Sequence, residues 1–118
     1  MDETRNICVV ICVNENVKDR MEIREITYGI EEEGIPYIIR ISDEKRLEDL
    51  ARIASKDSQL DVGIGIDEDL TGGIYNDRLP EDYLLFRMDI LKEKEKSRNL
   101  GVNAARLVKG IPFKIGGV

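Results

Sequence analysis

Histidine is absent from this chain of 118 residues, and so is tryptophan. Without histidine there is no imidazole general base and no His-containing catalytic triad. Most of the usual zinc ligand sets are gone as well. Aromatic residues make up only 5% of the chain, which leaves little to stack on nucleobases, and the net charge of −6 withholds the basic footprint that nucleic acid needs. Cysteine occurs twice, at Cys8 and Cys12. In a strand these two point to the same face roughly 13 Å apart, too far to pair, so they are read as buried thiols of a reducing compartment. No apolar run is long enough to cross a bilayer, and Met1-Asp2-Glu3-Thr4-Arg5 lacks the basic region of a secretory signal, so a cytoplasmic protein is expected. Catalytic equipment is missing too. Ser42, Ser55, Ser58 and Ser97 lack the context of an activated nucleophile, and Gly63-Ile64-Gly65 has neither a third glycine opening a helix nor a following Lys-Ser or Lys-Thr pair. Asp67, Asp69 and Asp77 do not have calcium-loop spacing.

What the chain does contain is 42% hydrophobic and 36% charged residues, ordinary for one folded domain spanning 1–118. Ile7-Cys8-Val9-Val10-Ile11-Cys12-Val13 is an unbroken β-branched run, expected of a strand covered on both faces. A helix is predicted from Val17 to Glu33, with Ile23, Ile26 and Ile30 on its core stripe and Met21 close to it. Ile35–Ile41 reads as a second strand. Ser42 or Asp43 is expected to cap a second helix, with Asp43 and Glu44 in its first turn and Leu47, Leu50, Ala51 and Ala54 facing the core. A third strand, Asp61–Ile66, alternates glycine with branched residues, so one of its faces is nearly bare backbone and admits a helix closely. Asp67-Glu68-Asp69 and Gly72-Gly73 are taken as the connection into a short antiparallel strand, Ile74-Tyr75-Asn76, followed by a last strand over Tyr83–Met88. Lys92–Arg98 is a charge-dense linker or first helical turn. The final helix, Ser97–Lys109, is stopped by Gly110 and Pro112, and Gly116-Gly117-Val118 is expected to fray. This order predicts a three-layer α/β/α sandwich around a mostly parallel five-stranded sheet with one antiparallel strand.

The stretch that stands out is Tyr28-Gly29-Ile30-Glu31-Glu32-Glu33-Gly34-Ile35-Pro36-Tyr37, where a helix runs into three carboxylates and stops. The C-terminal end of a helix dipole is negative, so each acid there costs about 0.3–1 kcal/mol unless a cation offsets it. Solvated acid clusters are common, and screening reduces that cost. The sharper expectation is that a carboxylate is offered to a metal ion or to a basic patch on a partner. In the last helix Asn103, Arg106 and Lys109 are spaced i, i+3, i+6 beside the apolar face, either as solvated residues or as a protein contact.

The string GIEEEGIPY, together with Leu60-Asp61-Val62-Gly63-Ile64-Gly65-Ile66 and Asn103-Ala104-Ala105-Arg106-Leu107-Val108-Lys109-Gly110-Ile111-Pro112-Phe113, resembles the small subunit of the diol and glycerol dehydratase reactivating factors. The resemblance runs from about Glu22 to Phe113. It implies an anticodon-binding-domain-like fold akin to the medium subunit of the dehydratase. It also implies a non-catalytic, chaperone-like subunit that pairs with a large ATPase subunit to release damaged cobalamin from an adenosylcobalamin-dependent dehydratase. On this resemblance the small subunit takes the medium subunit's place against the large subunit of the dehydratase. Magnesium is then shared with the ATPase subunit and the chain needs no cofactor of its own. The acid that reaches the metal falls on Glu32, and Glu31, Glu33, Asn103, Arg106 and Lys109 are assigned to the partner interface. The resemblance leaves room for a protein associated with a bacterial microcompartment. A dehydratase medium subunit and a freestanding homo-oligomeric domain of the same fold stay open as alternatives.

Overall fold

The computed structural model describes residues 7–115, so the expectations for Met1–Arg5 and for Gly116-Gly117-Val118 lie outside the described residues. The elements follow in the order β1 (Val9–Asn14), α1 (Glu22–Glu32), β2 (Tyr37–Ser42), α2 (Leu47–Asp57), β3 (Val62–Ile66), β4 (Thr71–Asn76), β5 (Leu85–Asp89) and α3 (Ser97–Lys109). The sheet order is β2-β1-β3-β4-β5. β1 runs parallel to both β2 and β3, whereas β4 is antiparallel to both of its neighbours, so four strands share one direction and β4 alone is reversed.

Helices cover both faces, and the side-chain alternation of β1 divides the core between them. Val9, Ile11 and Val13 pack with Ile23, Ile26 and Ile30 of α1 and with Leu100 and Ala104 of α3. Cys8, Val10 and Cys12 face the other way, onto Leu50 and Ala54 of α2. The two thiols thus share a face, as expected. Burial pushes the Cys12 thiol up to about 11. The bare face of β3 meets α2 closely: a Cβ on Gly63 would lie 2.2 Å from the Ser55 amide nitrogen.

Several boundaries differ from the sequence reading, each for a local reason. α1 begins at Glu22 rather than Val17, because the Asn14 side chain accepts from the Asn16 N–H and winds residues 15–17 into a separate 3₁₀ turn. Met21 precedes α1 and is 73% exposed instead of sitting near its core stripe. Ser42 does not cap α2. Its hydroxyl accepts from the Glu44 N–H in a turn of its own, and the helix starts at Leu47 with Glu48 and Asp49 in its first turn. Gly72 and Gly73 belong to β4 itself, because Asp67 closes the preceding turn by accepting from the N–H groups of Asp69 and Thr71. The last strand spans Leu85–Asp89, two residues later at its start than expected.

Candidate functional site

α1 and α3 run side by side in the same direction, and glycine is the reason they come so close. A Cβ on Gly101 would lie 1.9 Å from the Ile26 carbonyl oxygen, and one on Gly29 would lie 2.1 Å from that of Arg98. Only a residue without a side chain fits at either position. This contact sets the register. Arg98 reaches Glu25 and Arg106 reaches Glu33, both across a separation of 73 residues. In this register Glu32 stands level with Ala105, and α3 runs about one turn past the end of α1 to Lys109.

Both ends have the same form. Gly34 and Gly110 take left-handed φ values of 75° and 68°. The N–H of Ile35 bonds back to Ile30 and that of Ile111 to Arg106, a Schellman closure in each helix. Two negative dipole ends thus lie about a turn apart, and the three acids at the end of α1 are treated differently from one another.

Glu33 is clamped. Its carboxylate takes Lys109 Nζ at 2.8 Å and an Arg106 guanidinium nitrogen at 3.3 Å, and Lys109 also donates to the Glu33 carbonyl at 2.9 Å. The Lys109 hydrogen bond, followed by that from Arg106, holds the Glu33 carboxyl below the usual glutamate range. Here the cost of an acid at a helix end is offset from the neighbouring helix. Glu32 is held loosely, 3.7 Å from an Arg98 nitrogen and half exposed. Arg98 is fixed more firmly elsewhere, with two nitrogens on Glu25 and its guanidinium 5.7 Å from the centre of the Tyr28 ring. Glu31 is exposed, and its side chain makes no hydrogen bond or ion pair among the described residues.

The C-terminal stripe does not face outward as a unit. Arg106 and Lys109 turn to Glu33. Asn103, expected at a protein contact, is 2% exposed; its amide donates to the Lys114 carbonyl at 2.8 Å and its oxygen accepts from the Lys114 N–H at 2.7 Å. It fastens the segment after α3 instead of meeting solvent. The Arg98–Glu25 pair, the place of Tyr28 under Arg98 and the close approach at Gly29 and Gly101 were not anticipated from the sequence. A glycine inside each of two amphipathic helices, at about 1 kcal/mol against alanine, was the available signal.

Chemically, the end of the α1/α3 pair offers hard oxygen ligands at the surface. Among the described residues no three acidic or thiol side chains converge where they would hold an ion, so Glu31 and Glu32 by themselves could supply no more than part of a coordination shell. That suits magnesium, which takes one or two carboxylates and completes its octahedron from other sources.

Residues 8–114 match the family described as dehydratase medium subunit. The chain is 42% identical over 91 residues to the diol dehydratase-reactivating factor small subunit of Klebsiella michiganensis, covering 77% of this chain and 72% of that one. It is 41% identical over 90 residues to the propanediol dehydratase-reactivating factor small subunit of Salmonella typhimurium, covering 76% and 77%. Among solved structures, a diol dehydratase-reactivating factor complexed with ADP and Mg2+ superposes with a TM-score of 0.82 at 36% identity, over 92% of this chain and 97% of that chain. A glycerol dehydratase reactivase superposes with a TM-score of 0.85 at 28% identity, over 92% and 96%.

Proposed function

The chain belongs to the dehydratase medium subunit family, among the small subunits of diol and glycerol dehydratase-reactivating factors, and on that premise we propose that it is the accessory, non-catalytic subunit of such a factor. It pairs with a large ATP-hydrolysing subunit and lends it the carboxylates at the end of α1. The observation that carries this reading is the unequal treatment of three adjacent acids. Glu33 is committed to Arg106 and Lys109, while Glu32 and Glu31 are left at the surface with one weak partner between them. Glu32 is the residue that would hold a magnesium ion shared with the large subunit, with Glu31 beside it. The ion would contribute positive charge between the subunits, in place of the distant Arg98 guanidinium. Arg106 and Lys109 serve the interface through Glu33, whose backbone and carboxylate they fix, and Asn103 serves it by anchoring the segment that follows α3.

In this reading the domain resembles the dehydratase's medium subunit closely enough to take its place against the dehydratase's large subunit, and the exchange opens a way out for damaged cobalamin. The setting is the cytoplasm or a bacterial microcompartment. Titrating the chain into its large subunit with magnesium present tests the assignment. Glu32→Gln is expected to weaken assembly about tenfold or more, since a charged contact carries about 1.5–3 kcal/mol. The melting temperature of the isolated chain is expected to stay the same. Equal affinity of variant and parent removes Glu32 from the metal, and a loss confined to Glu31→Gln moves the role by one residue. The matched family's description favours a second reading, a medium subunit of the dehydratase itself. Stable co-purification with a cobalamin-containing catalytic subunit, and no affinity for an ATPase, would establish that reading instead.

A further inference from the structure

The sheet ends differently on its two sides. β5 is an irregular edge: its register against β4 shifts, Phe86 has a left-handed φ of 55°, and Arg87 and Asp89 place charge along it. Such features keep other strands from pairing. β2 pairs with β1 in unbroken register from Tyr37 to Ser42, and no further strand lies beyond it among the described residues. The Val9 N–H donates to the Pro36 carbonyl, so by alternation Ile38 and Arg40 turn their main-chain groups to β1, while Tyr37, Ile39 and Ile41 turn theirs outward. Ile39 lies midway among these outward groups and is 41% exposed, and Ile41 is 49% exposed.

This edge is complementary to itself. A two-fold axis at Ile39 sets that residue against its own copy, Tyr37 against Ile41 of the second chain and Ile38 against Arg40. The outward N–H and C=O groups of Tyr37, Ile39 and Ile41 then all find antiparallel partners, and the side chains that line the α1 side meet others of their own kind. On the opposite side of the sheet Arg40 is already held by Asp57 at 2.8 Å, so no uncompensated charge is laid on Ile38.

Charge favours the same arrangement. A groove of about 360 Å³ opens over this edge on the α1 side, and Tyr37 and Ile39 are in its lining. Lys18 and Arg24 rim it toward the Ser42 end, where α1 begins, and carry no ion pair among the described residues. Arg20 beside them is committed to Glu22, and Asp19 is the one acid of the lining. Glu31 is on the same side of α1 as Arg24, seven residues later, and lies toward Tyr37, where the helix ends. It too has no ion pair among the described residues. Reversing one copy across the axis brings the acid of each chain to the free cations of the other. Glu32 lies about 100° round the helix from Glu31, clear of this edge.

We propose that two copies of this chain join β2 to β2, antiparallel about a two-fold axis at Ile39, so that one five-stranded sheet continues into the other. The inference stands whether or not a large subunit binds the end of α1. Sedimentation of the isolated full chain tests it. A dimer is expected at about 10 μM, loosening as salt screens the contacts of Glu31. Ile39→Pro removes an outward donor from each copy and leaves the ladder to β1 intact, and Ile39→Arg keeps the donor but sets two cations against each other at the axis. Each is expected to raise the dissociation constant about tenfold or more, with circular dichroism verifying the fold. Oxidised glutathione then reads the register. In Ile39→Cys the two α-carbons lie about 5.5 Å apart, so a disulfide-linked dimer is expected. In Ile41→Cys they lie about 14 Å apart and none is expected. Cys8 and Cys12 are buried and add no background. A parent chain that stays monomeric at about 100 μM overturns the proposal. So does a dimer that neither substitution at Ile39 weakens, or equal cross-linking from the two cysteine variants. Slowed amide exchange at β2 that appears only with the large subunit makes that subunit the occupant and refutes the self-pairing.

Discussion

The two faces of the sheet treat their acids in opposite ways. On the α2 face Glu48 and Asp49 of the first helical turn, and Asp82 before β5, are tied to arginine: Glu48 to Arg87, Asp49 to Arg52, and Asp82 to both Arg46 and Arg52. These pairs fasten the loop before β5 onto the helix, and nothing in them is offered outward. On the α1/α3 face the network is incomplete. Glu33 has two cations, Glu32 a distant share of one, and Glu31 none among the described residues. A saturated cluster serves folding. An unsaturated one on the opposite face of the same scaffold leaves carboxylates open to a cation from outside, as the proposed role requires.

The strongest way to break this contrast is through glycine, which both faces use. Gly101→Ala puts a methyl group 1.9 Å from the Ile26 carbonyl, and Gly63→Ala puts one 2.2 Å from the Ser55 amide. Each must force backbone apart, so each is expected to lower unfolding stability by about 3 kcal/mol or more, read from denaturant melts. The two should then part company. Gly101→Ala shifts α3 along α1 and separates Arg106 and Lys109 from Glu33, so assembly with the large subunit is lost beyond what instability explains. Gly63→Ala, measured at a temperature where it is folded, should assemble normally. If both variants assemble alike, the division of labour between the faces is wrong.

A smaller effect sharpens the same comparison from inside the core. Cys12 lies under α2 with its thiol pushed up to about 11 by burial, and Cys8 shifts in the same direction for the same first cause. Neither should react with a thiol reagent at neutral pH on the timescale of mixing. In Gly63→Ala, where α2 is lifted, labelling at Cys12 should accelerate. In Gly101→Ala it should not. Mass spectrometry of the labelled protein distinguishes them.

How far the sequence disclosed these features depends on how local their causes are. The strands and α3 were legible because their signals are contiguous: the apolar run at Val9–Val13, the glycine alternation of Val62–Ile66, and the Gly110–Pro112 stop that ends α3 at Lys109. The starts of α1 and α2 were misplaced because Asn14 and Ser42 spend their side chains on turns, a choice between two local bonds that spacing does not reveal. The site was half visible. Three acids at the wrong end of a helix were evident, but which of them is neutralised depends on residues 73 positions away. The glycines that bring those residues near each look like a minor helix defect when read alone. Asn103 was placed on an outward stripe by its spacing and at a protein contact by the resemblance, whereas its side chain is buried against the Lys114 backbone.

The gentlest test concerns Glu33, whose carboxyl is held low by Lys109 and then Arg106. A group with a depressed folded pKa contributes stability above its unfolded value, about 4.3 for glutamate, and loses that contribution as pH falls through the folded value. Glu48, held low by Arg87, behaves likewise on the other face. Acid should therefore destabilise the protein progressively below about pH 4. Glu33→Gln and Glu48→Gln should each flatten that descent by a similar small amount, about 0.2–1 kcal/mol for a pair at the surface. Their effect on assembly should differ. Loss of the Glu33 charge frees Lys109 and Arg106 beside Glu32, where they compete with any cation the partner brings, while loss of the Glu48 charge frees Arg87 and loosens Arg46, both on the far side of the sheet. Melts across pH, paired with binding of each variant to the large subunit, separate an acid that only holds the fold from one that also keeps its neighbours available.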